Sequence, residues 1–426
     1  MDSIIMRKRR GLMTAAALSW SLALLAAAGQ GGECLVKEGT RLAMAGDSIT
    51  WQKLYSKFIE TYLVACVPVT NISVIQYGCS GDSAGRFLER MEPDLLMWKP
   101  TLVTTCFGMN DGRYQKYDEA SIGNPYATNM WKIVAGLKAI GVPVVVGGPG
   151  VVDADTYTGT KAYNETLAKL SAIASNVAAA NNLPFADVHQ AMMSAMIKSK
   201  SAYGPAYHVA GGDGVHPGQN GHLVMAYAFL RAMGLDGQIG TVEVDWKGGA
   251  TASAGHKVLS ISNGVVTVES ARYPFCFWGA EKDPNGTISI LPFVPFQDDL
   301  NRFVLQVKNL PTGSADVKWG QQQKTFTADQ LGRGINLAAE FPDNPFRPAF
   351  QKVMDQVAAK QSYESTMITG PVTYGRFLKK EFNNDSEIAG AVDAINGKFL
   401  TRHSEYNGKV RAAVTPVQHA IVIMPK

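Results

Sequence analysis

Charge is scarce in this chain. Asp, Glu, Lys and Arg make up 18% of its 426 residues, and no run of them is long enough to keep a segment unfolded. Setting aside the first 28 residues leaves 36 basic and 35 acidic side chains. A surface so close to neutral excludes nucleic acid as the expected partner and offers no field to steer anions. Cysteine is scarcer still: Cys34, Cys66, Cys79, Cys106 and Cys276 are the whole set. None stands in a Cys-x-x-Cys pair, which excludes the common zinc and dithiol motifs, and an odd number leaves at least one unpaired or bonded between chains. Cys79 and Cys106 lie in apolar runs and are expected as small core residues. One disulfide is compatible with export, between partners that the spacing does not assign. Internal repeats and low-complexity linkers are absent too, which points to regions packed on one another rather than strung out.

What is present starts with a leader. Arg7-Lys8-Arg9-Arg10 precedes the uncharged stretch GLMTAAALSWSLALLAAA, and Ala26-Ala27-Ala28 supplies small residues for cleavage. This pattern is that of a secretory signal peptide over residues 1–28. A membrane anchor is the rival, since the apolar run is nearly long enough to span, and the small residues just past it favour cleavage. Arg9-Arg10 is a weak twin-arginine signal. Glu33 stands before Cys34 where a lipoprotein signal wants Gly or Ala. The expectation is a secreted or periplasmic protein with no membrane attachment after cleavage.

From residue 41 short apolar runs alternate with helical patterns. The runs are Arg41–Gly46, Ile72–Gly78, Thr101–Phe107, Val142–Gly148 and Leu183–Val188. The helical patterns are Trp51–Val64, Ser83–Met91, Tyr126–Ile140, Lys161–Asn181 and Asn220–Met233. Strands that are apolar on both faces, each followed by a helix, predict an α/β fold: a parallel sheet covered on both sides. Ligands then gather at the carboxyl ends of the strands. After about Leu235 turn residues increase and apolar residues alternate with polar ones. TVEVDW, KVLSIS, GVVTVES, RFVLQVKNL and ADVKW predict antiparallel strands. NPFRPAFQKVMDQVAAKQ and SEIAGAVDAI predict helices, and VQHAIVIM predicts a closing strand. The expected organisation is a signal peptide over 1–28, a catalytic α/β domain over 29–238, and an accessory β-rich and helical region over 239–426 packed on it.

Four loops fall on the carboxyl edge of the predicted sheet. Gly46-Asp47-Ser48 ends the first strand. Gly81 lies in a Ser-Gly-Asp turn after the second, and Gly108-Met109-Asn110-Asp111 follows the third. Asp213-Gly214-Val215-His216-Pro217 precedes the last helix of the domain. Each has a structural reading: Ser48 as a helix cap, Gly81 as a turn, Asn110 as a loop tie, Asp213 as an N-cap. Their coincidence on one edge favours acyl transfer. A serine hydroxyl is a poor nucleophile until a base takes its proton. Histidine, titrating ordinarily near 6.5, needs a carboxylate to hold its other nitrogen. Asp213 stands three residues before His216. The oxyanion then needs fixed donors, and the backbone N–H groups of Ser48 and Gly81 and the amide of Asn110 are available.

These four blocks, in this order and spacing, resemble those of the SGNH, or GDSL, hydrolase family over roughly residues 40–235. The resemblance implies a flavodoxin-like three-layer fold with no metal or organic cofactor. It matches Ser48 to the nucleophile, His216 to the general base, Asp213 to the orienting acid, and Ser48, Gly81 and Asn110 to the oxyanion hole. Exported members with a long C-terminal extension resemble carbohydrate O-acetylesterases, so an acetylated polysaccharide or oligosaccharide is the expected substrate. No long apolar lid of the lipase kind is evident. Trp51, Arg113 and Tyr114 are candidates for touching substrate. Tyr273, Phe275, Phe277 and Trp278, in RYPFCFWG, are expected as a buried strand, with stacking on sugar faces as the alternative. His222 is expected to hold a loop, and His189 has no assigned role. His256, His403 and His419 form no ligand spacing. Asp47 and Asp111 are expected to bind loop backbone. Two other enzymatic readings are an esterase of lipids or small esters and a sugar O-acyltransferase. A glycan-binding protein with a relic site is the non-enzymatic one.

Overall fold

Arg41–Gly46, Ser73–Gly78, Leu102–Cys106, Val144–Gly147 and Phe185–Ala186 (β1 to β5) are short strands whose side chains are buried on both faces. Only a sheet covered by helices on each side buries both faces of a strand. The sheet is parallel, in the order β2-β1-β3-β4-β5. The structure is a computed structural model that describes residues 33–160 and 162–426. The expected signal peptide, residues 1–28, lies outside them.

The helices of this part are α1 (Ser48–Trp51), α2 (Tyr55–Ala65), α3 (Ala84–Arg90), α4 (Asn124–Ala139), α5 (Tyr163–Ala180), α6 (Val188–Tyr203) and α7 (Gln219–Ala232). The single helix expected from Trp51 is two, because Lys53 takes a left-handed φ of +59° between them. Helix α6 was not among the expected elements. Its polar, methionine-rich pattern, VHQAMMSAMIKSKSAY, has a weak apolar stripe.

Beyond the last of these helices come two further sheets. One has the order β13-β10-β6-β7, from Ile335–Asn336, Arg302–Lys308, Gln238–Asp245 and Gly249–Ala252. The other has the order β12-β11-β14-β9-β8, from Gln322–Thr327, Ser314–Trp319, Val417–Pro425, Val265–Ser270 and His256–Ser262. All their pairings are antiparallel except β6 with β10, which is parallel, a departure from the expected antiparallel pattern. Phe303 of β10 stacks on Trp319 of β11 at 5.6 Å, and His419 of β14 lies edge-on to both, so the two sheets meet through an aromatic layer. The helices here are α8 (Phe296–Leu300), α9 (Ala328–Arg333), α10 (Leu337–Glu340), α11 (Arg347–Met367), α12 (Thr373–Glu381) and α13 (Ser386–Ala413).

Cys34–Lys426 form one compact unit. Tyr273, Phe275 and Phe277 are buried and Trp278 is half-buried, with Phe275 against Phe58 and Tyr62 of α2; the expected burial holds for three of the four, but they form a loop and not the expected strand. Helix α11 lies along the outer edge of β2. In a parallel strand, alternate residues turn both N–H and C=O to the same side. Val74 and Gln76 turn theirs outward, and α11 meets them: Lys360 Nζ donates to the Val74 carbonyl at 2.6 Å, and Gln76 N–H donates to Glu364 at 3.0 Å. Lys360 also pairs with Glu60 of α2 at 3.0 Å and with Glu364, and His403 of α13 bonds Glu364 at 2.7 Å, all fully buried or nearly so. Two carboxylates share one ammonium here. Burial pushes Glu60 up to about 7, only partly offset by Lys360.

All five cysteines are free, so the disulfide that export would allow is not formed. Cys106 is buried, as expected, and Cys79 is half-buried.

Candidate active site

Strand β1 ends at Gly46, and the chain turns at once into α1. Asp47 caps that helix, its Oδ1 accepting the Ile49 N–H at 2.9 Å. Helix α1 can lie against the end of β2 only because Gly78 has no side chain: a Cβ there would stand 2.3 Å from the Trp51 nitrogen. Ser48, first residue of α1, is half-buried at the carboxyl end of the sheet.

Ser48 Oγ lies 2.9 Å from His216 Nε2, and His216 Nδ1 lies 2.7 Å from Asp213 Oδ2. The carboxylate accepts at Nδ1, so Nε2 is the bare nitrogen that can receive the hydroxyl proton. The other oxygen of Asp213 accepts the N–H groups of Val215 and His216 at 2.9 and 2.8 Å. Burial pushes the Asp213 carboxyl up, but these bonds and the imidazole outweigh it and hold it below its ordinary value. The side chains of His216 and Asp213 are 36% and 56% exposed, so the pair faces an open cleft.

The second and third loops are tied together beside this pair. Gly81 adopts φ +74°, a left-handed turn that glycine takes without strain. Asn110 Nδ2 donates to the carbonyl of Asp82 at 2.8 Å, and Asp82 is anchored by a buried ion pair with Arg90 at 2.6 Å. Asp111 spans the same loops, accepting from Ala84 and Gly108 N–H at 3.0 Å each. Asp47 and Asp111 thus bind loop backbone as expected. Among the described residues the N–H groups of Ser48 and Gly81 have no acceptor. These two N–H groups and the spare hydrogen of the Asn110 amide are donors of the kind that an oxyanion requires.

The sequence holds a second Gly-Asp-Ser, at Gly81–Ser83, which with Gly85 also forms a Gly-x-Ser-x-Gly spacing. The structure distinguishes the two. Ser83 Oγ is turned to the Arg86 N–H as the cap of α3, whereas Ser48 meets the imidazole. His222 is likewise spent: Nδ1 accepts the Tyr55 N–H at 3.1 Å and Nε2 meets Gln52 Oε1 at 2.9 Å. Burial, foremost, lowers it to about 3, so it stays neutral and holds a loop. His189 bonds the Gly150 carbonyl at 3.0 Å. His256 and His419 both meet the Ser270 hydroxyl, far along the chain from the site.

Trp51 is 39% exposed, with Lys53 Nζ 4.4 Å above its ring. Arg113 is exposed, and Tyr114 is half-buried with its hydroxyl 3.4 Å from Asn110 Oδ1. Two features escaped the reading from sequence. Tyr157 and Tyr163 form an aromatic group with Tyr114. Asp153, buried after β4, pairs with Lys200 at 2.5 Å and His208 at 3.0 Å, and its N–H donates to the Gly214 carbonyl at 2.8 Å, inside the loop that carries Asp213 and His216. Asp153 lies in GPGVVDADTYTG, a fifth loop on the same sheet edge, and the reasoning that singled out the other four applies to it equally.

Residues 44–224 match the profile of the GDSL-like lipase/acylhydrolase family. A curated relative, an acetylxylan esterase of Geobacillus stearothermophilus, is 24% identical over 188 residues, spanning 43% of this chain and 81% of that protein. Among solved structures, a gut microbial diltiazem-metabolizing enzyme aligns with a TM-score of 0.72 at 24% identity, covering 92% of this chain and 98% of that one. The crystal structure of Axe2, an acetylxylan esterase from Geobacillus stearothermophilus, aligns with a TM-score of 0.39 at 23% identity, covering 47% and 96%. The similarity to the GDSL-like lipase/acylhydrolase family thus spans residues 44–224, the stretch that holds Ser48, Gly81, Asn110, Asp213 and His216.

Proposed function

We propose that this protein is an exported serine esterase that removes acetyl groups from O-acetylated polysaccharide or its fragments. The observation that carries the reading is the unbroken hydrogen-bonded path from Ser48 Oγ through the His216 imidazole to Asp213, at 2.9 and 2.7 Å. Ser48 Oγ attacks the acetyl carbonyl while His216 Nε2 takes its proton. The tetrahedral oxyanion is met by the Ser48 and Gly81 N–H groups and by the Asn110 amide. His216 returns the proton to the departing sugar oxygen, and a water molecule, activated by the same nitrogen, then releases acetate. Similarity to an acetylxylan esterase supports a carbohydrate ester. So does the exposed Trp51, three residues past the nucleophile, whose face can stack on a sugar ring. The leader in residues 1–28 supports export, where polysaccharide substrates are found.

The test is acetate release from acetylated xylan, other acetylated polysaccharides and acetylated xylo-oligosaccharides. An aryl acetate and diltiazem serve as small esters. Ser48→Ala is expected to lower kcat about 10⁴–10⁶-fold, with the unfolding midpoint unchanged. Acetate from the small esters alone would exclude the carbohydrate reading. Acetyl transfer to an added sugar in place of release would make the protein a transferase. Glycan binding without any turnover would make the site a relic.

A further inference from the structure

A primary amide has two N–H donors and one acceptor oxygen. At Asn110 one N–H is given to the Asp82 carbonyl at 2.8 Å, and Oδ1 faces the Tyr114 hydroxyl at 3.4 Å. That leaves one N–H for the cleft. Tyr114 is fixed from behind: its ring stacks on Tyr163 with centroids 5.1 Å apart and planes 26° apart, and it leans on Tyr157 at 6.2 Å. Tyr163 in turn donates its hydroxyl to the carbonyl of Met109, the residue before Asn110.

The backbone is strained to make this contact. Arg113 and Tyr114 have φ of +55° and +57°, two successive side-chain-bearing residues in the left-handed region, which is costly for a bulky ring. The turn is closed by Gly112 N–H to Gly108 at 3.0 Å, Arg113 N–H to Asn110 at 3.1 Å and Gln115 N–H to Gly112 at 3.1 Å. Its result is to bring the phenol back over the amide four residues earlier. Strain of this kind survives where function requires the geometry.

We propose that Tyr114 is a positioning residue for the oxyanion donor: its hydroxyl donates to Asn110 Oδ1, fixes which end of the amide faces the cleft, and strengthens the remaining N–H as a donor. The contact is long at rest. It tightens as charge on the bound oxygen polarises the amide from the other side. Burial pushes the Tyr114 phenol up to about 12, so it remains a donor across the working range. The inference rests on the esterase reading above and recasts Tyr114 from a substrate contact to a support of the catalytic amide.

The test is a double-mutant cycle with p-nitrophenyl acetate, measuring kcat and KM for the wild type, Tyr114→Phe, Asn110→Ala and the pair. Tyr114→Phe keeps the ring on Tyr163 and removes only the hydroxyl. It is expected to lower kcat about three- to tenfold at unchanged KM, the fold-change of one neutral hydrogen bond. Asn110→Ala is expected to cost about 10²–10³ in kcat, and Tyr114→Phe is expected to add nothing on that background. A rise in KM alone, wild-type kcat, or effects that multiply in the pair would each overturn the positioning role. Wild-type turnover that persists in Ser48→Ala would instead overturn the esterase reading, so the two failures are distinct.

Discussion

Asp47 is wedged between the last residue of β1 and Ser48, and its carboxyl is fully buried. Burial pushes its pKa from 3.8 up to about 7 against the opposing Ile49 N–H, and Asp111 and Asp82 add to the rise. The folded protein therefore keeps a proton that the unfolded chain releases above about 3.8. The stability this group contributes is full below that pH and is lost as pH climbs through 7. Asp47→Asn stays neutral and can accept the same N–H. It is expected to raise stability at pH 8 by about 1–3 kcal/mol, visible as a higher thermal midpoint, and to change little at pH 4. Equal shifts at both pH values would mean that titration of Asp47 is not the cause. At this scale the meeting of Ser48, Asp213 and His216 was legible because each closes or opens an element on one sheet edge. Legibility stopped where contacts cross between loops. Asp153 reaches Gly214 through space, and the Tyr157–Tyr163–Tyr114 group joins residues spread over some fifty positions, which no spacing rule records.

Helix α11 is the element on which the catalytic sheet leans. Among the described residues Lys360 is the one lysine or arginine paired with Glu60 and Glu364, and it also satisfies the Val74 carbonyl. Lys360→Met would leave two buried carboxyl groups and an orphaned strand carbonyl. It is expected to cost about 3–5 kcal/mol, read as a lower urea midpoint at an unchanged slope. A loss below 1 kcal/mol would show that the cluster is dispensable. The five parallel strands were legible because a strand buried on both faces reads as an unbroken apolar run. The parallel pairing of β6 with β10 was not, because the partners lie some sixty residues apart and each alternates as an antiparallel strand would. Helix α13 runs to Ala413, well past the expected SEIAGAVDAI, through a stretch so exposed that its apolar positions are few.

For the molecule as a whole, the region after residue 238 completes the core of the part before it. Tyr62 donates to the Leu300 carbonyl at 2.7 Å and packs on Phe275 and Phe296, while Phe58 packs on Phe275 and Trp278. A chain of residues 34–238 would expose these rings and the outer edge of β2. It is expected to show no cooperative thermal transition and no turnover, measured by circular dichroism and by aryl acetate hydrolysis. An active, cooperatively melting fragment would show that the second region is an independent addition.

The side chains that Lys360 and Glu364 extend to β2 have a consequence outside the folded monomer. A bare outer strand is a template onto which another polypeptide can zip its own backbone, seeding insoluble polymers. With Val74 and Gln76 already engaged, that template is withdrawn, and the folded chain carries its own guard against sticking to its siblings.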